Sequence, residues 1–188
     1  MLKKLKTEEQ KGFTLIEILI TITILVLIAG LSFDLLLKPA MGLTLDNTIS
    51  DFIEFFQYVQ EKNEIFASST SNVYIIRFAN TTSGKHYYAS YIGTPSAETI
   101  DKFYLLDNVV FTSPTSGNNL DLRFCYAPTI LGASSDLSPK LLCDDNNSKI
   151  CDQTYTITIR SAAFDISRSL IISTSSTDYC VPKLTKSR

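Results

Sequence analysis

The longest apolar segment of the chain runs from residue 13 to residue 33 and contains few polar side chains. Those polar side chains are Thr14, Glu17, Thr21, Thr23 and Ser32. A helix of roughly 20 residues, rising 1.5 Å per residue, crosses the ~30 Å hydrocarbon core of a bilayer. The pattern therefore predicts a transmembrane helix, which we place at residues 13–37. We expect a single span, because no comparable run follows Asp34.

A second, amphipathic helix is predicted after this segment. Pro39 and Gly42 indicate a break or kink between the two helices. Beyond them, apolar residues recur with the i, i+3, i+4, i+7 spacing of a helix that is buried on one face. These residues are Ile49, Phe52, Ile53, Phe56 and Val59. The phenylalanine-rich face of this helix should pack on another element.

The remainder of the chain is typical of short β-strands separated by polar turns. The predicted strands are residues 72–78, 86–92, 103–111, 120–127, 154–160 and 168–173. In one of them Tyr155, Ile157 and Ile159 alternate with polar side chains, as in a strand buried on one face. No segment of helical length separates the strands, so a mostly antiparallel sheet is expected. The fold class is therefore α+β, and the tail at residues 181–188 is expected to fray.

The distribution of charge predicts how the chain is oriented in a membrane. The net charge is −2. Residues 1–12 hold four lysines and two glutamates, a sum of +2, so the remaining residues sum to −4. A basic flank favours a cytoplasmic N-terminus, which makes residues 38–188 an extracytoplasmic domain. The acidic balance of that domain argues against a nucleic-acid partner.

All four cysteines, Cys125, Cys143, Cys151 and Cys180, fall in the predicted extracytoplasmic domain. An even number of cysteines in an exported domain indicates disulfides, and four cysteines allow three connectivities. The short polar loop between Cys143 and Cys151 favours a local pair, which leaves Cys125 with Cys180. No C-x-x-C spacing is present, so we predict no metal site.

Glu17 is the one ionisable side chain in the apolar segment. A carboxylate at the centre of a bilayer costs about 2.5–3.5 kcal/mol or more, and somewhat less near the edge. Three interpretations of the segment compete. A cleaved secretory signal is disfavoured, because the apolar run is longer than about 7–15 residues and no Ala-x-Ala site follows it. The others are a membrane anchor with an incidental glutamate and a glutamate with a dedicated partner. Cleavage after Gly12 would free the α-amino group of Phe13, which is largely protonated at neutral pH. Glu17 lies four residues further on, about 6 Å along a helix axis and on nearly the same face. The two groups could pair within one chain or between chains.

The residues around this site resemble a known family. A lysine-containing leader, then "KG", "FTLIE" and a long apolar run, is similar to the signal of type IV prepilins and type II secretion pseudopilins. The resemblance implies that residues 1–12 are a cleaved basic leader and that Gly12 precedes the scissile bond. It implies that Phe13 becomes the mature N-terminus, N-methylated by prepilin peptidase. It also implies that Glu17 pairs with the terminal amine of a neighbouring subunit during assembly.

The order of elements is similar to that of H-type minor pseudopilins, which often carry an Ala-Arg pair where this chain reads "YVQEKNE". The resemblance implies a pilin-like fold and a minor pilin or pseudopilin at the bacterial inner membrane. Its helix at residues 13–37 would be both membrane anchor and filament core. Its partners would be other pilin subunits, prepilin peptidase, the inner-membrane assembly platform and lipid.

Two other functions remain open from the sequence. One is a filament-tip module that captures DNA or a secreted substrate, and the other is an uncleaved, single-pass periplasmic domain. We find no catalytic motif and no cofactor motif, so we predict a protein that is not an enzyme. The single histidine, His86, is interpreted as a partly exposed strand residue.

Overall fold

The computed structural model describes residues 13–66, 72–81, 84–93, 99–113, 119–125, 140–146 and 148–187, with the side chains of residues 31–36 excepted. Within these ranges the chain forms α1 (Leu15–Phe66), β1 (Tyr74–Asn80), β2 (His86–Ile92), β3 (Thr99–Tyr104), β4 (Val109–Ser113), β5 (Leu120–Arg123), β6 (Thr154–Ser161), β7 (Ser167–Ser173), a short 3-10 helix (Ser176–Asp178) and β8 (Lys183–Ser187). Two compact units are present, Met1–Pro39 and Ala40–Arg188. In the described part of the chain no helix reaches the length and hydropathy required of a membrane span.

The strands form two antiparallel sheets, which confirms the α+β architecture. Sheet 1 has the order β3-β2-β1-β5 and sheet 2 the order β4-β6-β7-β8. The prediction of one sheet is wrong, because the predicted strand at 103–111 is two strands. Asp107 and Asn108 form a turn, which the Val109 N–H closes by donating to the Leu106 carbonyl at 2.9 Å. This turn carries the chain from sheet 1 to sheet 2.

Of the predicted break or kink between two helices, the break is wrong, because α1 continues through Pro39. A proline removes its own N–H from the helix ladder, and its ring crowds the carbonyl four residues earlier, at a total cost of about 3 kcal/mol. The N–H groups of the other residues can still bond within the helix. Good helix formers stand on both sides, since Leu37 and Lys38 precede it and Ala40 and Met41 follow it. The helix is therefore able to continue where the local signal favoured an end.

A stripe of α1 forms the centre of the core of the second unit. Its members, each at most 1% exposed, are Leu45, Ile49, Phe52, Phe56 and Val59. Their intervals alternate between four and three residues, so they lie on one face of the helix. The amphipathic prediction is confirmed at these positions from Ile49 onward, while Ile53 is only partly buried against the core.

Phe52 contacts both sheets. Its ring centroid lies 5.6 Å from that of Phe78 and 4.6 Å from that of Tyr88, both in sheet 1. It lies 6.0 Å from the ring centroid of Phe111 in sheet 2. Such aromatic pairs add about 0.5–1.5 kcal/mol each beyond the burial of area. One side chain of the helix thus joins the two sheets.

Polar contacts hold the two ends of the packed part of α1. Near its start, Asp46 accepts a hydrogen bond from Arg168 Nε in β7 at 2.7 Å. Near its end, Asn63 is fully buried, and both the nitrogen and the oxygen of its side-chain amide form hydrogen bonds. Its Nδ2 donates to the Cys125 carbonyl at 2.7 Å, and its Oδ1 accepts from the Tyr74 N–H at 2.9 Å. These bonds fix the register of the helix against both sheets.

Two disulfides are present, but their connectivity differs from the prediction. Cys125 pairs with Cys143, and Cys151 pairs with Cys180. The Cα atoms are 5.0 Å apart in the first pair and 4.9 Å apart in the second. The predicted pairs, Cys143 with Cys151 and Cys125 with Cys180, are therefore wrong.

Strand pairing explains the first disulfide. Phe124 and Leu142 form an antiparallel bridge, and the Cys143 N–H donates to the Arg123 carbonyl at 2.9 Å. These bonds set Cys143 beside Cys125. Loop length alone does not determine the pairing of the cysteines, because each doubling of loop length costs only about 0.6 kcal/mol.

The tail predicted to fray is instead the edge strand of sheet 2. Strand β8 pairs with β7, with Leu184 opposite Ile172. Leu184 is partly buried against the core, and Lys186 Nζ donates to Ser50 Oγ in α1 at 2.7 Å. The ladder of β7 and this apolar contact outweigh the polar composition of the segment.

We predict that Phe52→Ala lowers the free energy of unfolding by about 3–5 kcal/mol, because it opens a cavity where the helix meets both sheets. The matched control is Ile65→Ala on the same helix, where the side chain is 71% exposed; we expect a change of about 0.5 kcal/mol or less. Urea unfolding followed by near-ultraviolet circular dichroism measures both values. An equal decrease in the free energy of unfolding in the two variants would contradict the central position of Phe52.

Candidate processing and assembly site

Of the predicted site residues, Phe13 and Glu17 lie at or near the start of α1. Gly12 and the rest of the predicted leader are outside the described residues. Phe13 precedes the helix and is 79% exposed. Glu17 lies in the first turn of α1, where the partial positive charge of the helix N-terminus favours a carboxylate.

Thr14 caps this helix. The Glu17 N–H donates to the Thr14 carbonyl at 3.1 Å and to Thr14 Oγ1 at 3.3 Å. The Ile18 N–H also donates to the Thr14 carbonyl, at 3.2 Å. Thr14 and Glu17 have the spacing of a capping box, a threonine followed three residues later by a glutamate. The sequence itself carries this signal, as the spacing of Thr14 and Glu17. It gives Glu17 a position that favours helix initiation.

The other polar side chains of the segment are satisfied within the helix. Thr21 Oγ1 donates to the Glu17 carbonyl, and Thr23 Oγ1 donates to the Leu19 carbonyl at 2.7 Å. These bonds to the preceding turn allow threonines to lie in an apolar helix without an outside partner. Glu17 differs, because its carboxylate forms no ion pair with any described residue.

The apolar side chains that follow are exposed on all sides of the helix. They are Leu15, Ile16, Ile18, Leu19, Ile20, Ile22, Ile24, Leu25, Val26, Leu27 and Ile28, and their exposed fractions lie between 49% and 83%. An apolar surface this extensive is rare on a protein that stands alone, and it normally marks an interaction with a membrane or another protein. A helix that is apolar all round is typical of a buried or membrane-embedded element.

Residues 9–33 match the sequence model of the prokaryotic N-terminal methylation motif. The match includes Gly12, Phe13 and Glu17, and it indicates a type IV pilin-like precursor. Such a precursor is a structural protein of the pilin type. Residues 34–188 lie outside the match. No curated protein and no solved structure is significantly similar to the chain.

The structure places His86 at the contact between the two sheets. The imidazole Nδ1, in β2, accepts a hydrogen bond from the Phe111 N–H of β4 at 3.3 Å. The two rings meet edge to face, with centroids 5.5 Å apart. Burial lowers the pKa of His86 below its ordinary value of 6.5. The acceptor position of Nδ1 requires the neutral imidazole, so this geometry gives His86 a structural role.

We predict that His86 makes stability depend on pH. Because its pKa is lower in the folded state than in the unfolded state, its contribution is present above the unfolded value of about 6.5 and is lost as pH falls through the folded pKa. His86→Asn keeps an acceptor near the Nδ1 position but does not titrate. The free energy of unfolding, measured by urea between pH 7.5 and 4.5, should fall less steeply in the variant. Parallel curves would contradict the assignment, since every other titrating group is common to both proteins.

Proposed function

We propose that the chain is a minor pilin or pseudopilin, cleaved after Gly12, N-methylated on Phe13 by prepilin peptidase and assembled into a type IV pilus or a type II secretion pseudopilus. The observation that carries the proposal is the match of residues 9–33 to the methylation motif. Its scissile Gly12–Phe13 bond would stand directly before an exposed, apolar helix. We propose the H-type minor subclass on the similarity in element order alone.

The exposed apolar side chains at residues 15–28 support the role of a membrane and filament helix. Before assembly, lipid would cover them, because transfer of apolar side chains from water is favourable by about 25 cal/mol per Å². In a filament, the same side chains would pack against the helices of neighbouring subunits. A surface that is apolar on every side suits both environments, since neither demands a single buried stripe.

Glu17 supplies the specificity of that packing. The cleaved chain would present the protonated amine of Phe13, and Glu17 lies in the first turn of the same helix. In an apolar medium an unpaired carboxylate is costly, so a cation nearby is strongly favoured. Pairing with the amine of a neighbouring chain would fix the axial stagger between two helices. Assembly would then follow cleavage, because the cation does not exist before it.

The rest of the chain supports export. The basic flank of residues 1–12 favours a cytoplasmic N-terminus, and the two disulfides of the second unit suit an oxidising compartment. We therefore propose a single pass through the bacterial inner membrane, with residues 38–188 outside. The partners would be other pilin subunits, prepilin peptidase and the inner-membrane assembly platform.

A second candidate is a single-pass, membrane-anchored domain that is never cleaved. The capping-box spacing of Thr14 and Glu17 favours it. Thr14 Oγ1 accepts from the Glu17 N–H, and a Glu17 carboxylate that accepted in turn from the Thr14 N–H would have a purpose within its own helix. The two candidates predict different N-terminal residues for the mature protein. They also predict different effects of substitutions at Glu17.

We predict that the protein isolated from membranes of a host with prepilin peptidase begins at Phe13 and carries one N-methyl group. Intact-mass and N-terminal peptide mass spectrometry measure both features. The same chain from a host that lacks the peptidase should keep Met1 or Leu2 as its first residue. A mature chain that retains the leader in the competent host would leave only the second candidate.

We predict that Glu17→Gln and Glu17→Leu are both inserted and cleaved but enter filaments at least tenfold less than the wild type. The glutamine retains the hydrogen-bonding capacity of the capping box but removes the charge, so it separates pairing from capping. The measurement is the ratio of the subunit in sheared filaments to that in membranes.

Thr23→Val is the matched control, because the Thr23 hydroxyl donates to the Leu19 carbonyl of its own helix and bonds to no other described residue. We expect it to assemble normally. Assembly of Glu17→Gln at the wild-type level, with failure of Glu17→Leu, would assign Glu17 to capping and reject the intersubunit ion pair.

A further inference from the structure

An open groove of about 460 Å³ lies in the second unit between α1 and the adjoining strands β2 and β3. Its described lining consists of Asp51, Glu54, Phe55, Tyr58, Tyr88, Asp101 and Phe103. Four of these side chains are aromatic, and three are carboxylates. The groove is remote in sequence from the methylation motif and has no part in the function proposed above.

Three aromatic rings form one packed wall of the groove. The Phe55 ring meets Tyr88 and Phe103 edge to face, with centroids 5.0 Å and 5.5 Å apart. The Tyr88 and Phe103 rings stack at 5.2 Å. Tyr88 is buried while Phe103 is 46% exposed, so the wall leads from the core to the surface. Such a wall suits a flat or aliphatic group, or a cation placed over a ring face.

The carboxylates give this apolar wall a negative rim. Asp51 and Glu54 are three residues apart on α1 and lie on the same side of the helix, and Asp101 comes from β3. None of the three forms an ion pair with a described residue. Burial and the charge of Asp51 raise the pKa of Tyr88 to about 12, so its hydroxyl remains neutral and adds no negative charge.

One cation of the chain already uses an aromatic ring of this groove. Lys62 lies two turns after Phe55 on α1, and its Nζ is 5.4 Å from the ring centroid of Tyr58. The ring of Phe66 lies 5.7 Å from the same Nζ. This contact occupies one end of the aromatic surface with an ammonium group. It is the kind of contact that the rings nearer the three carboxylates could make with a ligand.

Strand β3 is the edge of sheet 1, and no described strand pairs with its outer side. It also exposes large apolar side chains, with Ile100 at 45%, Phe103 at 46% and Tyr104 at 54%. Exposed edges of this kind are normally blunted by charge, proline or a covering segment, because they invite another strand to pair. An added strand would direct alternate side chains to the face that carries Asp101 and Phe103.

We propose that this groove binds an extended, lysine- or arginine-bearing segment of a partner protein, which adds to sheet 1 alongside β3. The cationic side chain would lie between the three carboxylates and over the aromatic wall. Charge selects the partner, because residues 13–188 of this chain sum to −4 and a second copy would bring mainly like charge. A basic protein of the same compartment is complementary to the groove.

The test measures binding of a labelled peptide of alternating lysine and valine to the full-length protein in detergent micelles. Fluorescence anisotropy gives the dissociation constant. Asp51→Asn/Asp101→Asn should weaken binding at least tenfold. The matched control, Asp145→Asn/Asp165→Asn, removes two exposed carboxylates outside the groove lining and should change binding less than twofold. Equal weakening by the two pairs would mean general electrostatic attraction and would overturn the proposal.

Two changes to the peptide test the proposal without altering the protein. A peptide of alternating glutamate and valine should not bind, because its charge matches that of the rim. A lysine-valine peptide N-methylated along one edge cannot donate the hydrogen bonds of an added strand and should bind at least tenfold more weakly. Equal binding of either peptide would overturn the proposal. Loss of self-association in Asp51→Asn/Asp101→Asn, without loss of peptide binding, would assign the groove to a second copy and would also overturn it.

Discussion

The burial of one stripe of α1 between two sheets is the interaction on which the second unit depends. In the described part of the chain each sheet has four strands and packs an apolar face on the core, and that face cannot be left in water. The stripe from Leu45 to Val59 supplies the cover, and the ring of Phe52 touches Phe78 and Tyr88 in one sheet and Phe111 in the other. The edge-to-face contact of His86 with Phe111 adds a direct link between the sheets. The helix therefore packs against both sheets, and its register decides the relative positions of β2 and β4.

The same helix carries a different pattern near its start. From Leu15 to Ile28 the apolar side chains face every direction and remain exposed, whereas beyond Leu45 only one stripe is apolar and buried. The polar groups of the first part are satisfied by the helix itself, through Thr14 and Thr23. The carboxylate of Glu17 is the exception. The methylation motif indicates a pilin-like precursor, and under the function proposed above this carboxylate would find its partner in a neighbouring subunit.

The sequence predicted those features that depend on local periodicity. The spacing of Ile49, Phe52, Phe56 and Val59 correctly identified the buried face of the helix, and the alternation in β6 is confirmed, because Ile157 and Ile159 are fully buried. Glu17 was recognisable because a lone charge in an apolar run is costly, and the surrounding motif is short and local.

Features that depend on distant segments were not predictable in the same way. The Asp107–Asn108 turn contains residues typical of turns, but the apolar residues on both sides favoured one continuous strand. The register of residues 141–143 against β5 decides the pairing of Cys125, and no property of the loop between Cys143 and Cys151 reveals it. Strand β8 forms because the edge of β7 is available for pairing. The polar residues of Lys183–Ser187 do not by themselves indicate a strand. The groove beside β3 likewise could not be predicted without knowing which face of α1 packs on which strands.

Asn63 has a further consequence for how the unit opens. Its amide joins the last turns of α1 to the first residue of β1 and to the carbonyl of a disulfide-bonded cysteine. Ends of helices and strands usually fray independently, with a small free energy for each. Here, releasing any one of the three leaves a buried polar group without its partner, which costs about 1–3 kcal/mol. The three ends therefore behave as one cooperative unit of local unfolding, and oxidation of Cys125 with Cys143 stabilises the end of a helix that contains neither cysteine.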